Sequence, residues 1–247
     1  MSAVLLLHGQ PGSARDWDRV LDGLGRGADV LAVDRPGWDG RSPPTDLEGN
    51  AAAAIAALDA HGVARAVVVG HSFGGAVAAW LAVHHPERLG ALILAAPSAN
   101  RRAMYALDRV LASKVAGTAV VAGAGAALSL SPLRRAVAAR AHLDERYLRE
   151  VARLLTRPSS WDAFVVEQRA LLDGIPRLEP QLHRISTPTV IVAGAADRIV
   201  PTAAAELLAQ QIPGAELVLL RRAGHLLPHR HADKLAEIIT AHVRSSS

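Results

Sequence analysis

Six short apolar runs recur along the chain, near residues 3–7, 28–33, 65–69, 90–94, 189–193 and 216–220. The run Ala3-Val4-Leu5-Leu6-Leu7 has no polar position at all, and Ala66-Val67-Val68-Val69 is equally apolar. A strand with one wet face alternates, so unbroken runs of this length predict strands covered on both faces. Between the runs, apolar residues return every three or four positions, predicting helices near 14–24, 49–61, 73–85, 201–212 and 231–243. Strand and helix alternate, which predicts a mostly parallel sheet of about six strands flanked by helices.

One stretch breaks the alternation. About ninety residues separate the run ending at Leu94 from the one starting at Thr189, whereas a crossover helix needs about a dozen. The excess predicts an inserted helical cap over residues 99–182, set into an α/β core of 1–98 and 183–247. Tyr147–Leu155 and Trp161–Leu172 have helical spacing, and Pro132, Pro158 and Pro176 punctuate the insertion. Within it, Val115–Leu133 carries no charge. Ala and Gly dominate there, so the segment reads as a tightly packed helix or helix pair lining an apolar pocket. A lid that touches membranes is the second reading. A true span would interrupt the fold between two neighbouring strands, so no stable membrane insertion is expected.

Composition narrows the classes little. The 247 residues carry a formal charge of +4, which raises the question of nucleic acid. No basic run exists and aromatics make up 3%, too few for base-stacking platforms, so nucleic acid is set aside. With no cysteine there is no disulfide, which fits a reducing compartment. The first apolar run is too short for a secretion signal and lacks a basic leader, so a cytoplasmic location is expected.

The chemistry concentrates at three strand ends. Gly70-His71-Ser72-Phe73-Gly74 follows one apolar run and opens a helix. A strand that turns straight into a helix through G-x-S-x-G is a nucleophile elbow, with the serine Oγ raised at the helix N-terminus. Upstream, the first strand runs into His8-Gly9-Gln10-Pro11-Gly12. An oxyanion needs two N–H donors, and Phe73 supplies one. Pro11 has no N–H, so Gln10 is the candidate for the second, with Gly12 behind it. Asp197 follows the strand Thr189–Ala193, and no carboxylate follows Leu92–Leu94, which makes Asp197 the candidate acid. Its plain alternative is a loop residue capping the helix near Pro201. His225 follows the last strand and is the candidate base. His229 and His231 lie at the start of the final helix and read as surface residues. A metal site from these three histidines lacks a recognisable ligand set, so no metal or cofactor is expected.

With these motifs the chain resembles the α/β-hydrolase superfamily, specifically its small cap-bearing serine esterases and C–C hydrolases. Asp34-Arg35-Pro36-Gly37-Trp38-Asp39-Gly40-Arg41-Ser42 resembles the family's D-x-P-G-x-G-x-S loop with one extra residue. The resemblance implies an α/β-hydrolase fold whose two leading antiparallel strands are absent, which puts the strand at 28–33 on an edge. It also implies a triad of Ser72, Asp197 and His225 acting on a small-molecule substrate. Trp38, Met104, Trp161 and Phe164 are candidate pocket liners. Hydrolysis of a carboxylic ester or related acyl bond through an acyl-enzyme is the first reading, for a small apolar substrate. A C–C bond hydrolase or lyase is the second, and a non-catalytic ligand-binding member the third. Oligomeric state is not legible.

Overall fold

A computed structural model describes residues 3–25, 29–141 and 143–245. The strands are β1 (Ala3–Leu7), β2 (Val30–Val33), β3 (Ala66–His71), β4 (Leu89–Ala95), β5 (Thr189–Gly194) and β6 (Glu216–Leu220). Ala28, in the predicted second strand, lies outside the described residues. Helices of the core are α1 (Asp18–Leu24), α2 (Leu47–Ala60) and α3 (Phe73–His84). Between β4 and β5 come α4 (Ala106–Leu111), α5 (Lys114–Ser129), α6 (Ser131–Ala141), α7 (Glu145–Leu155) and α8 (Pro158–Leu178). The chain closes with α9 (Thr202–Gln211), the short α10 (Leu227–Arg230) and α11 (Ala232–Ser245).

The strands form one sheet in the order β2-β1-β3-β4-β5-β6, and every neighbouring pair is parallel. Two-residue periodicity divides each strand between two cores. Leu5, Leu7, Val68 and Leu92 pack with Leu58 of α2, Val77 and Leu81 of α3, and Leu208 of α9. Val4, Leu6, Val67 and Ile93 pack with Trp17, Val20 of α1, and Leu235 and Ile239 of α11. Both faces are covered, which is why β1 and β4 have no polar side chain. β2 lies on one edge and is half-buried throughout.

The insertion is all helical, with two departures from the sequence expectation. Pro176 does not end a helix but sits inside the last turn of α8. The second half of that helix is sunk into the main core through Ala170, Leu171, Ile175 and Leu178, and this packing carries it past the proline. The uncharged segment forms a helix pair, α5 and the start of α6, bent by 97°, but it is not tightly packed. Only Gly117, Val121 and Gly125 of α5 are buried. The expectation of tight packing fails because one helical stripe is all its neighbours can cover. Among the described residues no single helix is long and apolar enough to cross a membrane.

Candidate active site

Ser72 joins β3 to α3 with φ 53° and ψ −115°. A non-glycine residue at positive φ is strained and persists only where its surroundings over-determine it. Here the Ser72 N–H donates to Ala95 O at 3.0 Å, and its carbonyl accepts from Gly75 and Ser98 at 2.9 and 3.1 Å. The turn is tight enough that a Cβ on Gly74 would strike the carbonyls of Leu7 and His8. The Phe73 N–H, the first of α3, stands at the positive end of the helix.

Two loops bring the other groups to the serine. His225 Nε2 lies 3.0 Å from Ser72 Oγ, and its Nδ1 lies 2.9 Å from Asp197 Oδ2. All three are secluded, with the His225 and Asp197 side chains 8% and 2% exposed. Asp197 Oδ1 accepts the N–H groups of Ile199 and Val200 at 2.8 and 3.0 Å, so its carboxylate fastens its own turn rather than capping α9. The His225 carbonyl accepts from His71 Nε2–H at 3.0 Å, and the two rings stand 5.0 Å apart. Burial, then the nearby His225, push the His71 pKa well below its ordinary value. His71 is a neutral brace behind the elbow.

The loop after β1 lies directly on the serine, since a Cβ on Gly9 would come within 3.2 Å of Ser72 Cβ. His8 Nδ1–H donates to Gly9 O at 2.8 Å while Nε2 accepts the Arg35 N–H at 3.0 Å. Only the neutral ring can do both, and burial followed by the Arg35 charge hold its pKa well below the usual range. Arg35 also donates through Nε to His8 O at 2.9 Å and through Nη2 to Gly9 O at 2.8 Å. Its guanidinium is paired with Glu167 of α8, both side chains being sealed from solvent, and lies 4.5 Å over the Phe73 ring. Burial lifts the Glu167 carboxyl above its usual range, and Arg35 opposes that rise. The Gln10 side chain adds a second tie, from Nε2 to Phe164 O at 2.7 Å. In the loop after β2, the Asp39 carboxylate accepts from Arg41 N, Ser42 N and Ser42 Oγ.

A hydroxyl, an imidazole and a carboxylate in line beside a helix-terminal N–H group can perform nucleophilic acyl chemistry. A family model for the alpha/beta hydrolase fold matches residues 2–232. The chain belongs to the alpha/beta hydrolases. It is 26% identical to a 2-hydroxy-6-oxononadienedioate/2-hydroxy-6-oxononatrienedioate hydrolase of Dechloromonas aromatica, over 97% of this chain and 86% of that protein. It is 29% identical to a 2-hydroxymuconate semialdehyde hydrolase of Pseudomonas putida, over 85% of this chain and 75% of the other. A hydrolase structure from Pseudomonas aeruginosa PA01 superposes with a TM-score of 0.73 at 28% identity, covering 99% of this chain and 89% of that one.

The four expected pocket liners sit in different surroundings. A hollow of about 630 Å³ lies between the loop after β1 and α7, and only Trp38 of the four lines it. Met104 borders a separate hollow with Arg101 and Tyr105. Phe164 and Trp161 pack with Trp38, Val121 and Leu155 inside the insertion, and Trp161 Nε1–H donates to Leu155 O at 2.7 Å. Large aromatics there serve packing first. Nor is the hollow apolar, for Arg15, Arg19, Asp34, Arg146 and Arg153 also border it.

Two clusters escaped the sequence reading. Arg35 and Glu167 lie 132 residues apart; the only signal was a carboxylate on the buried side of the α8 pattern. His229, expected at the surface, is largely buried, 3.9 Å from Asp16 and with its ring 4.0 Å from that of Tyr147. Burial, then Arg19, push its pKa down to about 4, whereas burial above all raises Asp16 to about 7.

Proposed function

We propose that this chain is a serine-dependent hydrolase that cleaves a carbon–carbon bond beside a carbonyl, in a conjugated oxo-dienoic acid. The serine dependence is carried by one observation, the line from Ser72 Oγ through His225 to Asp197 at 3.0 and 2.9 Å. The substrate class is supported by the relatives, which favour the second of the sequence-based readings over the ester. Ser72 adds to the carbonyl as His225 takes its proton, and Asp197 holds the imidazolium. The N–H groups of Phe73 and Gln10 receive the oxyanion. Once the dienol has taken its keto form, its hydroxyl proton moving to the carbon beside the attacked carbonyl, the carbon–carbon bond breaks and its electron pair passes into the dienolate of the leaving fragment, which His225 helps to protonate. Water releases the acid from Ser72. Ser72 is 8% exposed, so the inserted helices act as a lid that must move to admit substrate. An ester is the second reading, supported by the same hydroxyl–imidazole geometry, because an alkoxide leaves more readily than a carbanion.

Turnover of a 2-hydroxy-6-oxo-dienoate, followed by loss of its dienol absorbance, should exceed that of p-nitrophenyl acyl esters by at least about a hundredfold in kcat/KM. The reverse order would return the ester to first place. No turnover of either, together with no fluorophosphonate adduct on Ser72, would leave the binding-protein reading.

A further inference from the structure

Among the described residues ten large hydrophobic side chains stand exposed, and eight of them fall between Tyr105 and Val137. The centre of this patch is α5. Its inner stripe is set by Gly117, which meets Leu111 and Val165, and by Gly125, which meets Leu155. Its outer stripe is Val115, Ala119, Val120, Gly123, Ala126 and Leu130, all exposed and none charged. Val115 is 84% exposed. A helix on a water-facing surface turns polar residues outward, and this one does the opposite. Contiguous apolar surface of this kind marks an interaction site.

Charge identifies what covers it. Residues 101–140 hold seven basic side chains and one acidic, whereas the rest of the chain holds 20 basic against 22 acidic. Arg102, Arg109, Lys114, Arg135 and Arg140 are exposed on the segments flanking the stripe. Exposed Leu107 and Val110 stand among them on α4, and Leu133 and Val137 on α6. A second copy meeting this face would set like charge against like. Apolar residues that enter an acyl boundary, ringed by Lys and Arg that meet headgroups, suit an anionic bilayer surface.

We propose that the outer face of α5, with the basic residues of α4 and α6 around it, docks this protein on an anionic phospholipid membrane. The contact is peripheral, since no single described helix is both long and apolar enough to span. It is independent of the bond the active site cleaves. Cosedimentation of the full chain with vesicles tests it. Vesicles containing phosphatidylglycerol should bind the protein at least about tenfold better than pure phosphatidylcholine at about 0.1 M salt, with loss at high salt. Val115→Asp with Val120→Asp should lower binding about tenfold, and so should Arg109→Glu with Lys114→Glu. Melting temperatures near wild type would show that the variants fold; if the aspartate pair unfolds, the charge pair alone decides. No binding, equal binding to both vesicles, or binding that both pairs leave unchanged would overturn the proposal. So would a dimer in light scattering that the Val115 and Val120 substitutions disperse.

Discussion

Two histidines four residues apart each face an aspartate, and the two pairs behave differently. His225 and Asp197 meet at 2.9 Å, and the far oxygen of Asp197 receives two backbone N–H groups. His229 and Asp16 stand 3.9 Å apart, and the Asp16 carboxylate receives only a long contact from Ser13 N at 3.4 Å. Without donors a buried carboxyl keeps its proton and a buried imidazole stays neutral. The directions at this second pair follow that rule, with Asp16 raised and His229 lowered. Backbone N–H donors, more than the residue types, separate a pair that can hold an imidazolium from one that is merely packed.

The sharpest way to break the comparison is to remove the group that gives the first pair its task. Ser72→Ala should lower kcat on the order of 10⁴-fold or more with an unchanged circular dichroism spectrum. Asp197→Asn comes next, with a fall in kcat on the order of 10³-fold from mis-set imidazole tautomers. Asp16→Asn, the matching change in the second pair, should leave kcat within about threefold. A comparable loss from both asparagine variants would erase the distinction.

A third carboxylate sharpens it further. Glu167 is as buried as Asp16 but has a guanidinium against it, so Glu167→Gln leaves Arg35 without its anion. Removing one partner of such a pair costs about 3 kcal/mol or more, read as a lower melting temperature. Because Arg35 also holds the His8 and Gly9 carbonyls, kcat should drop about tenfold with KM little changed.

The smallest effect is in the pH dependence of stability. Between pH 4 and 6.5 the folded state keeps one proton on Asp16 and none on His229. Unfolded, the proton leaves Asp16 and one joins His229, so the bound count is equal and the two slopes cancel. Asp16→Asn removes half of the compensation. The lowered His229 pKa then makes the folded state progressively less stable as pH falls from 6.5 toward 4. The loss is at most about 3 kcal/mol, measurable by urea melts at both ends. A flat profile in the variant would mean that His229 is not held neutral.

These contrasts also mark what could be read along the chain. The elbow, Asp197 and His225 were legible because a parallel sheet delivers its strand ends to one edge, and each residue follows a strand the apolar runs reveal. The six strands were legible for the same reason. The Arg35–Glu167 and Asp16–His229 clusters were not, because each joins segments more than 130 residues apart. The packing of α5 was misjudged because apolar content reports what a helix can bury, not whether a neighbour is there to bury it.

The placement of α8 bears on engineering. Its first half belongs with the insertion and its second half supplies Ile175 and Leu178 to the main core. Excising residues 99–182 as a unit would therefore open a void beneath α3, and a cap transplanted from a relative at those joints would inherit it. A recombination joint placed between Phe164 and Glu167 keeps the core filled and the Arg35–Glu167 pair intact, and leaves the preceding helices of the insertion free to be exchanged.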